Sequence, residues 1–159
     1  MRQSENLGNV RADLRRKVIM AIKMRILCTA GKKKLINIAN MIKAEYDLSI
    51  NSVDVIPPAY SCDKERIVIL ALSGKGDMPD DLRLFCRELT KARASNVALM
   101  VDGNAAFADQ VTGILKEAGT NVIEDVLFVK CGLPFLSGVK PEEKETVLTW
   151  VKQVTDSLQ

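Results

Sequence analysis

The chain contains no histidine. This absence excludes Ser-His-Asp and Cys-His triads, histidine general bases and the H-E-x-x-H zinc site. The four cysteines lie far apart and form no C-x-x-C pair, so neither a disulfide framework nor a structural zinc site is expected. They are Cys28, Cys62, Cys86 and Cys131. Much of the hydrolase and metalloenzyme repertoire is thereby excluded, and we predict no metal site.

Aromatic residues and long apolar runs are also scarce. Aromatic side chains make up 4% of the chain, which leaves little material for stacking on a planar ligand. No apolar run approaches the roughly 20 residues of a membrane span. The first residues are charged where a signal peptide would need an apolar core. We therefore expect a cytoplasmic protein without a membrane span.

Positive charge is concentrated at the N-terminus. Residues 1–23 hold six of the 23 basic residues but only two of the 20 acidic ones, so the remainder of the chain is close to neutral. Nucleic-acid binding requires a basic surface on the folded domain itself. We therefore expect no nucleic-acid partner.

The N-terminal extension, residues 1–23, has the pattern of a basic amphipathic helix. Its apolar residues recur every four positions: Val10, Leu14, Val18 and Ile22. Arginine and lysine occupy the other faces, which is typical of an amphipathic helix. Its apolar stripe is expected to pack on the body of the protein or on a second copy, giving a homodimer through residues 9–22. A helix lying on a membrane surface is the alternative interpretation.

From residue 24 onwards, short apolar runs alternate with segments of helical periodicity. Strands are predicted at residues 24–28, 48–55, 67–72, 97–101 and 122–129. Helices are predicted after the first, third, fourth and fifth strands, with Pro141 opening the last and Gly119 closing the one before it. The segment 56–66 has room for only a turn or two of helix. This alternation predicts a single α/β domain over residues 24–159, with a parallel sheet and helices on both faces.

The first strand–loop–helix unit carries three consecutive lysines after a glycine. A turn that enters a helix N-terminus presents free N–H groups, so a phosphate or another anion is the expected ligand. Ligands of parallel sheets collect at the carboxyl ends of the strands, where three loops are expected to meet. The candidate ligand-binding residues are Thr29, Ala30, Gly31, Lys32, Lys33, Lys34, Ser73, Gly74, Lys75, Gly76, Asp102, Gly103 and Asn104. A solvated basic turn at residues 32–34 is the alternative.

The order of these elements resembles that of the flavodoxin family. The resemblance covers Met24 to the C-terminus and is carried by residues 24–42, 67–89 and 118–152. It implies a five-stranded parallel sheet in the order 2-1-3-4-5 and FMN as the cofactor. It also implies an electron carrier or a flavin-dependent reductase that works with a redox partner protein.

The contact residues depart from the family pattern. Flavodoxins hold the phosphate in a loop similar to Ser/Thr-x-Thr-Gly-Asn-Thr, and here Ala30, Lys32 and Lys33 replace hydroxyl or amide side chains. Lys75 stands where the family has an aromatic residue against the flavin, which leaves Phe107 or Tyr60 as substitutes. Two interpretations follow. FMN binds through backbone amides, or the domain is a flavin-free binding or assembly module.

A third interpretation is phosphoryl transfer. Cys28 precedes the loop, and its spacing to Lys34 is similar to that of cysteine loops in low-molecular-weight phosphatases. In that chemistry a thiolate accepts the phosphoryl group. The phosphatases have an arginine where this chain has Lys34. A buried strand position for Cys28 is the simpler interpretation.

Overall fold

The computed structural model describes residues 22–133 and 135–158. The predicted N-terminal helix lies outside the described residues except for Ile22. Described strands are β1 Met24–Cys28, β2 Val53–Val55, β3 Ile67–Gly74, β4 Asn96–Gly103, β5 Asn121–Val122 and β6 Leu127–Phe128. Described helices are α1 Lys33–Tyr46, α2 Asp80–Glu88, α3 Ala105–Ala118 and α4 Pro141–Asp156.

The strands form one parallel sheet in which β1 and β3 are central neighbours. β2 lies beside β1, β4 lies beside β3, and β5 and β6 both pair with β4. Four helices flank this sheet, so the predicted α/β architecture is confirmed. The layout is consistent with a flavodoxin-like arrangement and differs from it in detail at the last strand.

The fifth strand is shorter than predicted and is broken in two. Instead of one strand over residues 122–129, two-residue segments pair with β4 on either side of Glu124 and Asp125. The carbonyl of Asp125 in this break accepts a hydrogen bond from Trp150 Nε1 of α4 at 3.0 Å. The Trp150 side chain is only 3% exposed, so its N–H needs a partner within the protein, and the break between β5 and β6 supplies that acceptor.

The second strand is also shorter than predicted. Residues 48–52 form a turn rather than the start of a strand, with the Ser52 amide donating to the Ser49 carbonyl at 3.1 Å. Only residues 53–55 pair with β1. Residues 56–66 contain no helix, not even the turn or two for which the segment has room. Ile56 and Cys62 from this connection are buried in the core on the α2/α3 side of the sheet.

Alternate residues of the central strands belong to two separate hydrophobic cores, one on each face of the sheet. Ile26 and Ile69 face α1 and α4, whereas Leu27 and Leu70 face α2 and α3. The first six residues of β3 and of β4 are all buried, because helices cover the sheet on both sides. Such strands are rigid supports for the loops that follow their carboxyl ends.

Candidate functional site

The three predicted loops meet at the carboxyl edge of the sheet. The Ser73 amide donates to Thr29 Oγ1 at 3.1 Å, and Ser73 Oγ lies 3.2 Å from Asp102 Oδ2, to which it donates. The second loop is also tied to the start of α3, since Asn104 Nδ2 donates to the Lys75 carbonyl at 3.3 Å. These bonds place Thr29, which directly follows β1, beside Ser73 of β3 and Asp102 of β4.

Two of the predicted site glycines have packing roles. Gly74 and Gly103 are register partners on β3 and β4, and a Cβ at Gly103 would lie 1.9 Å from the Gly74 carbonyl oxygen. A Cβ at Gly74 would lie 2.5 Å from the Phe107 ring. Phe107 is only 1% exposed, so it packs beneath the edge and is not available to stack on a ligand.

The turn before α1 has the backbone form expected of an anion loop. Gly31 has φ +82°, a left-handed conformation that glycine adopts without steric cost. Within the described residues, no side chain caps the N-terminus of α1. Lys32 and Lys33 are exposed beside this first turn. The backbone amides and two ammonium groups therefore remain free for a ligand from solvent.

The third lysine is bound to the protein itself. Lys34 Nζ lies 2.6 Å from Glu143 Oε2, and the Lys34 side chain is only 10% exposed. The other oxygen of Glu143 accepts a hydrogen bond from the Lys140 amide at 3.2 Å, at the start of α4. The hydrogen bond from Lys34 is the main cause that lowers the pKa of Glu143. Lys34 thus joins α1 to α4, and the exposed basic turn contains two lysines rather than three.

Cys131 is a site residue that the sequence analysis did not select. Its thiol is half-buried near the Asp102 carboxylate and the Lys32 and Lys34 ammonium groups. Burial, followed by the effect of Asp102, raises its pKa to about 11, so the thiol is protonated at neutral pH. A positional signal was present, because a residue shortly after the fifth strand must lie at the carboxyl edge.

Cys28, by contrast, belongs to the core. It is fully buried, its Sγ contacts the Leu35 carbonyl at 3.8 Å, and burial raises its pKa to about 12. A nucleophilic cysteine needs a depressed pKa and access to substrate. This environment disfavours phosphoryl transfer through Cys28.

The loop between β6 and α4 brings apolar side chains to the same edge. Leu133, Phe135 and Leu136 are exposed, Phe135 by 77%. Asn37 Nδ2 of α1 donates to the Ser137 carbonyl at 2.9 Å, which attaches this loop to α1. Tyr60, considered from the sequence as a stacking residue, instead lines a cavity at the opposite, amino edge of the sheet.

No family model matches this chain, and a search of curated proteins finds no match. In the part of the chain that the structure describes, no helix combines the length and hydropathy needed to cross a bilayer.

Proposed function

We propose that this chain is a flavodoxin-like domain that binds FMN at the carboxyl edge of its sheet and transfers electrons to a partner protein. The observation that carries the proposal is the uncapped first turn of α1, with Gly31 in the left-handed region and Lys32 and Lys33 exposed beside it. This turn follows β1, and strand order reverses between β1 and its neighbour β3. Parallel sheets bind phosphate-bearing ligands at such a position.

The phosphate would be held mainly by backbone. Amide donors at a helix N-terminus do not depend on side-chain identity, so the hydroxyl residues of the family loop are dispensable in principle. Lys32 and Lys33 add positive charge as flexible point charges rather than as a shaped donor set. Backbone amides would donate the hydrogen bonds and the two lysines would supply the charge, so a loop that contains Ala30 could still bind a phosphate dianion.

The flavin ring requires apolar contact, and the proposed source is the β6–α4 loop. Phe107 is buried and Tyr60 is at the other edge, so neither can stack on the ring. Phe135 is the exposed aromatic side chain in the loop that α1 anchors. When bound, FMN supplies one- and two-electron chemistry. The Ser73, Asp102 and Cys131 groups supply a polar rim that carries a protonated thiol.

The test is a titration of FMN with purified protein, followed by flavin fluorescence. We expect quenching, and we expect Lys32→Ala with Lys33→Ala to weaken binding about tenfold, because two exposed charge contacts are lost. The matched control is Lys91→Ala with Lys116→Ala, which removes the same charge from exposed positions outside the three loops. Equal weakening by both pairs would reject a specific phosphate site.

A flavin-free binding module is the second candidate. It is favoured by the exposed Leu133, Phe135 and Leu136 and by the pairing of Lys34 with Glu143, which removes one cation from the loop. The absorbance spectrum of freshly purified protein separates the two. A flavin band with quenching supports the first candidate, whereas no band and no quenching at high micromolar protein supports the module.

A further inference from the structure

A cavity of about 560 Å³ lies at the amino edge of the sheet, opposite the three loops. Its wall includes the start of β1, the α1–β2 turn, and Tyr60 from the β2–β3 connection. Ile22, the first described residue, also lines it. Residues 1–21 therefore join the domain at this space, which we call the amino-edge cavity.

Ile22 is the last member of the apolar stripe of the N-terminal extension, after Val10, Leu14 and Val18. It is half-buried and packs against the core on the α1/α4 side of the sheet, as does Leu48 of the cavity wall. One member of the stripe is thus seated on the domain of its own chain. In a helix, Val18 lies one turn before Ile22 on the same face, so a helix that continues back from Ile22 brings the stripe toward the cavity.

Two large apolar side chains are exposed beside this cavity. Ile50 lies between the lining residues Ser49 and Asn51 and is 83% exposed, and Tyr60 is 63% exposed. Exposed apolar groups next to a cavity are typical of a docking surface. A segment with an apolar stripe fits this edge, and the extension has such a stripe.

Charge at the amino edge favours a basic segment. α1 and α4 run side by side from the Lys34–Glu143 ion pair at their starts, so both helices end at this edge. The C-terminal end of a helix attracts cations, and the exposed carboxylates of Asp47 and Asp156 lie at these two ends. Residues 9–21 contain four basic residues and one acidic residue. Their charge is therefore complementary to this edge.

We propose that residues 9–21 form a helix that lies across the amino-edge cavity of the same chain, with Leu14 and Val18 toward the cavity. The helix covers Ile50 and Tyr60. This inference is independent of the proposed FMN site, because the two lie at opposite edges of the sheet.

The first test is disulfide trapping in the full chain, since a disulfide requires two Cα atoms within about 7 Å. Val18→Cys is combined with Ile50→Cys or with Tyr60→Cys and treated with oxidised glutathione. Met20→Cys with the same partners is the matched control, because it is nearer to Ile22 along the chain but lies on another face of the helix. We expect the faster Val18 pair to cross-link at least about tenfold faster than either Met20 pair.

Non-reducing electrophoresis and peptide mass spectrometry identify the linked pair. A monomeric product from a Val18 pair supports the proposal. A disulfide-linked dimer would show that a second copy supplies the segment, and this result overturns it. Equal rates for the Val18 and Met20 pairs, or no cross-link at all, also overturn it.

Tyrosine nitration gives a second readout that needs no added cysteine. The chain has two tyrosines, and Tyr46 is only 6% exposed in the core. Val18→Asp should speed the nitration of Tyr60 by tetranitromethane about tenfold, because docking loses one buried valine. Met20→Asp is the control and should leave the rate unchanged, and slow nitration of Tyr46 verifies that each variant is folded. An unchanged Tyr60 rate in Val18→Asp overturns the proposal.

Discussion

At the scale of single residues, the backbones of β3 and β4 approach each other closely at Gly74 and Gly103, near their carboxyl ends. A Cβ at Gly103 would lie 1.9 Å from a backbone oxygen, whereas a Cβ at Gly113 in α3 would meet nothing within 4 Å. The two glycines are therefore present for different reasons. Only the first is required by packing.

Gly103→Ala should lower the free energy of unfolding by about 1–3 kcal/mol, because the backbone must move to admit the methyl group. Gly113→Ala is the matched control and should raise it by about 0.5–1 kcal/mol, since alanine loses less entropy in a helix. Urea denaturation of both variants measures the difference. Equal effects would show that the Gly74–Gly103 contact is not tight in solution.

At the scale of elements, α4 is fixed at its start by charge as well as by its apolar stripe. The Glu143 carboxylate accepts a hydrogen bond from the Lys140 amide and forms an ion pair with Lys34. The neighbouring Glu142 is exposed. The pKa of Glu143 is lowered by these contacts, so its contribution to stability is present at neutral pH. That contribution is lost as the pH falls through this lowered pKa.

Glu143→Gln should therefore reduce the free energy of unfolding at pH 7 by up to about 1 kcal/mol, the range of partly exposed ion pairs. The difference from the unaltered protein should shrink below the ordinary carboxyl pKa of about 4.5. Chemical denaturation at pH 7 and pH 3 measures both values, with Glu142→Gln as the control. A difference that stays constant with pH would mean that the Lys34 contact contributes nothing.

Most strands and helices of the fold can be predicted from the local sequence. The apolar run at residues 67–72 predicts β3, which the structure extends to Gly74 because the glycine continues the pairing with β4. Pro141 and Gly119 mark the helix ends that are observed. The predictions at the sheet edges are too long, because the Ser52 amide bonds within a turn, to the Ser49 carbonyl, and the Asp125 carbonyl bonds to Trp150 of α4.

The side-chain contacts in the sites are harder to predict from the sequence, because they join segments that are distant along the chain. The three loops and their approach follow from topology alone. The pairing of Lys34 with Glu143 does not, because neither residue carries a local sign of its partner. Arg25 likewise looks like an interruption of an apolar run, and only the packing of the β2–β3 connection reveals a buried cation.

At the scale of the whole molecule, the accessibility of the four thiols measures how well the two hydrophobic cores exclude solvent. Cys28, Cys62 and Cys86 are buried, whereas Cys131 is half-buried at the edge. Iodoacetamide should label only Cys131 in the native protein and all four thiols in urea. Because its pKa is about 11, the native rate should rise about tenfold per pH unit between pH 7 and pH 9. Mass spectrometry of peptides from native protein measures this, and rapid native labelling of Cys28 would contradict the closed core.

The edge strands on both sides of the sheet are short. On one side, β2 pairs over three residues and is followed by two prolines. On the other side, β5 and β6 are two-residue segments separated by acidic side chains. Long, flat edge strands can pair with a strand from another chain, whereas short or charged ones prevent such pairing. Self-association by sheet extension, and the aggregation that accompanies it, is therefore disfavoured at both sides. Any second protein chain that binds this domain is therefore expected to contact the helices or loops instead.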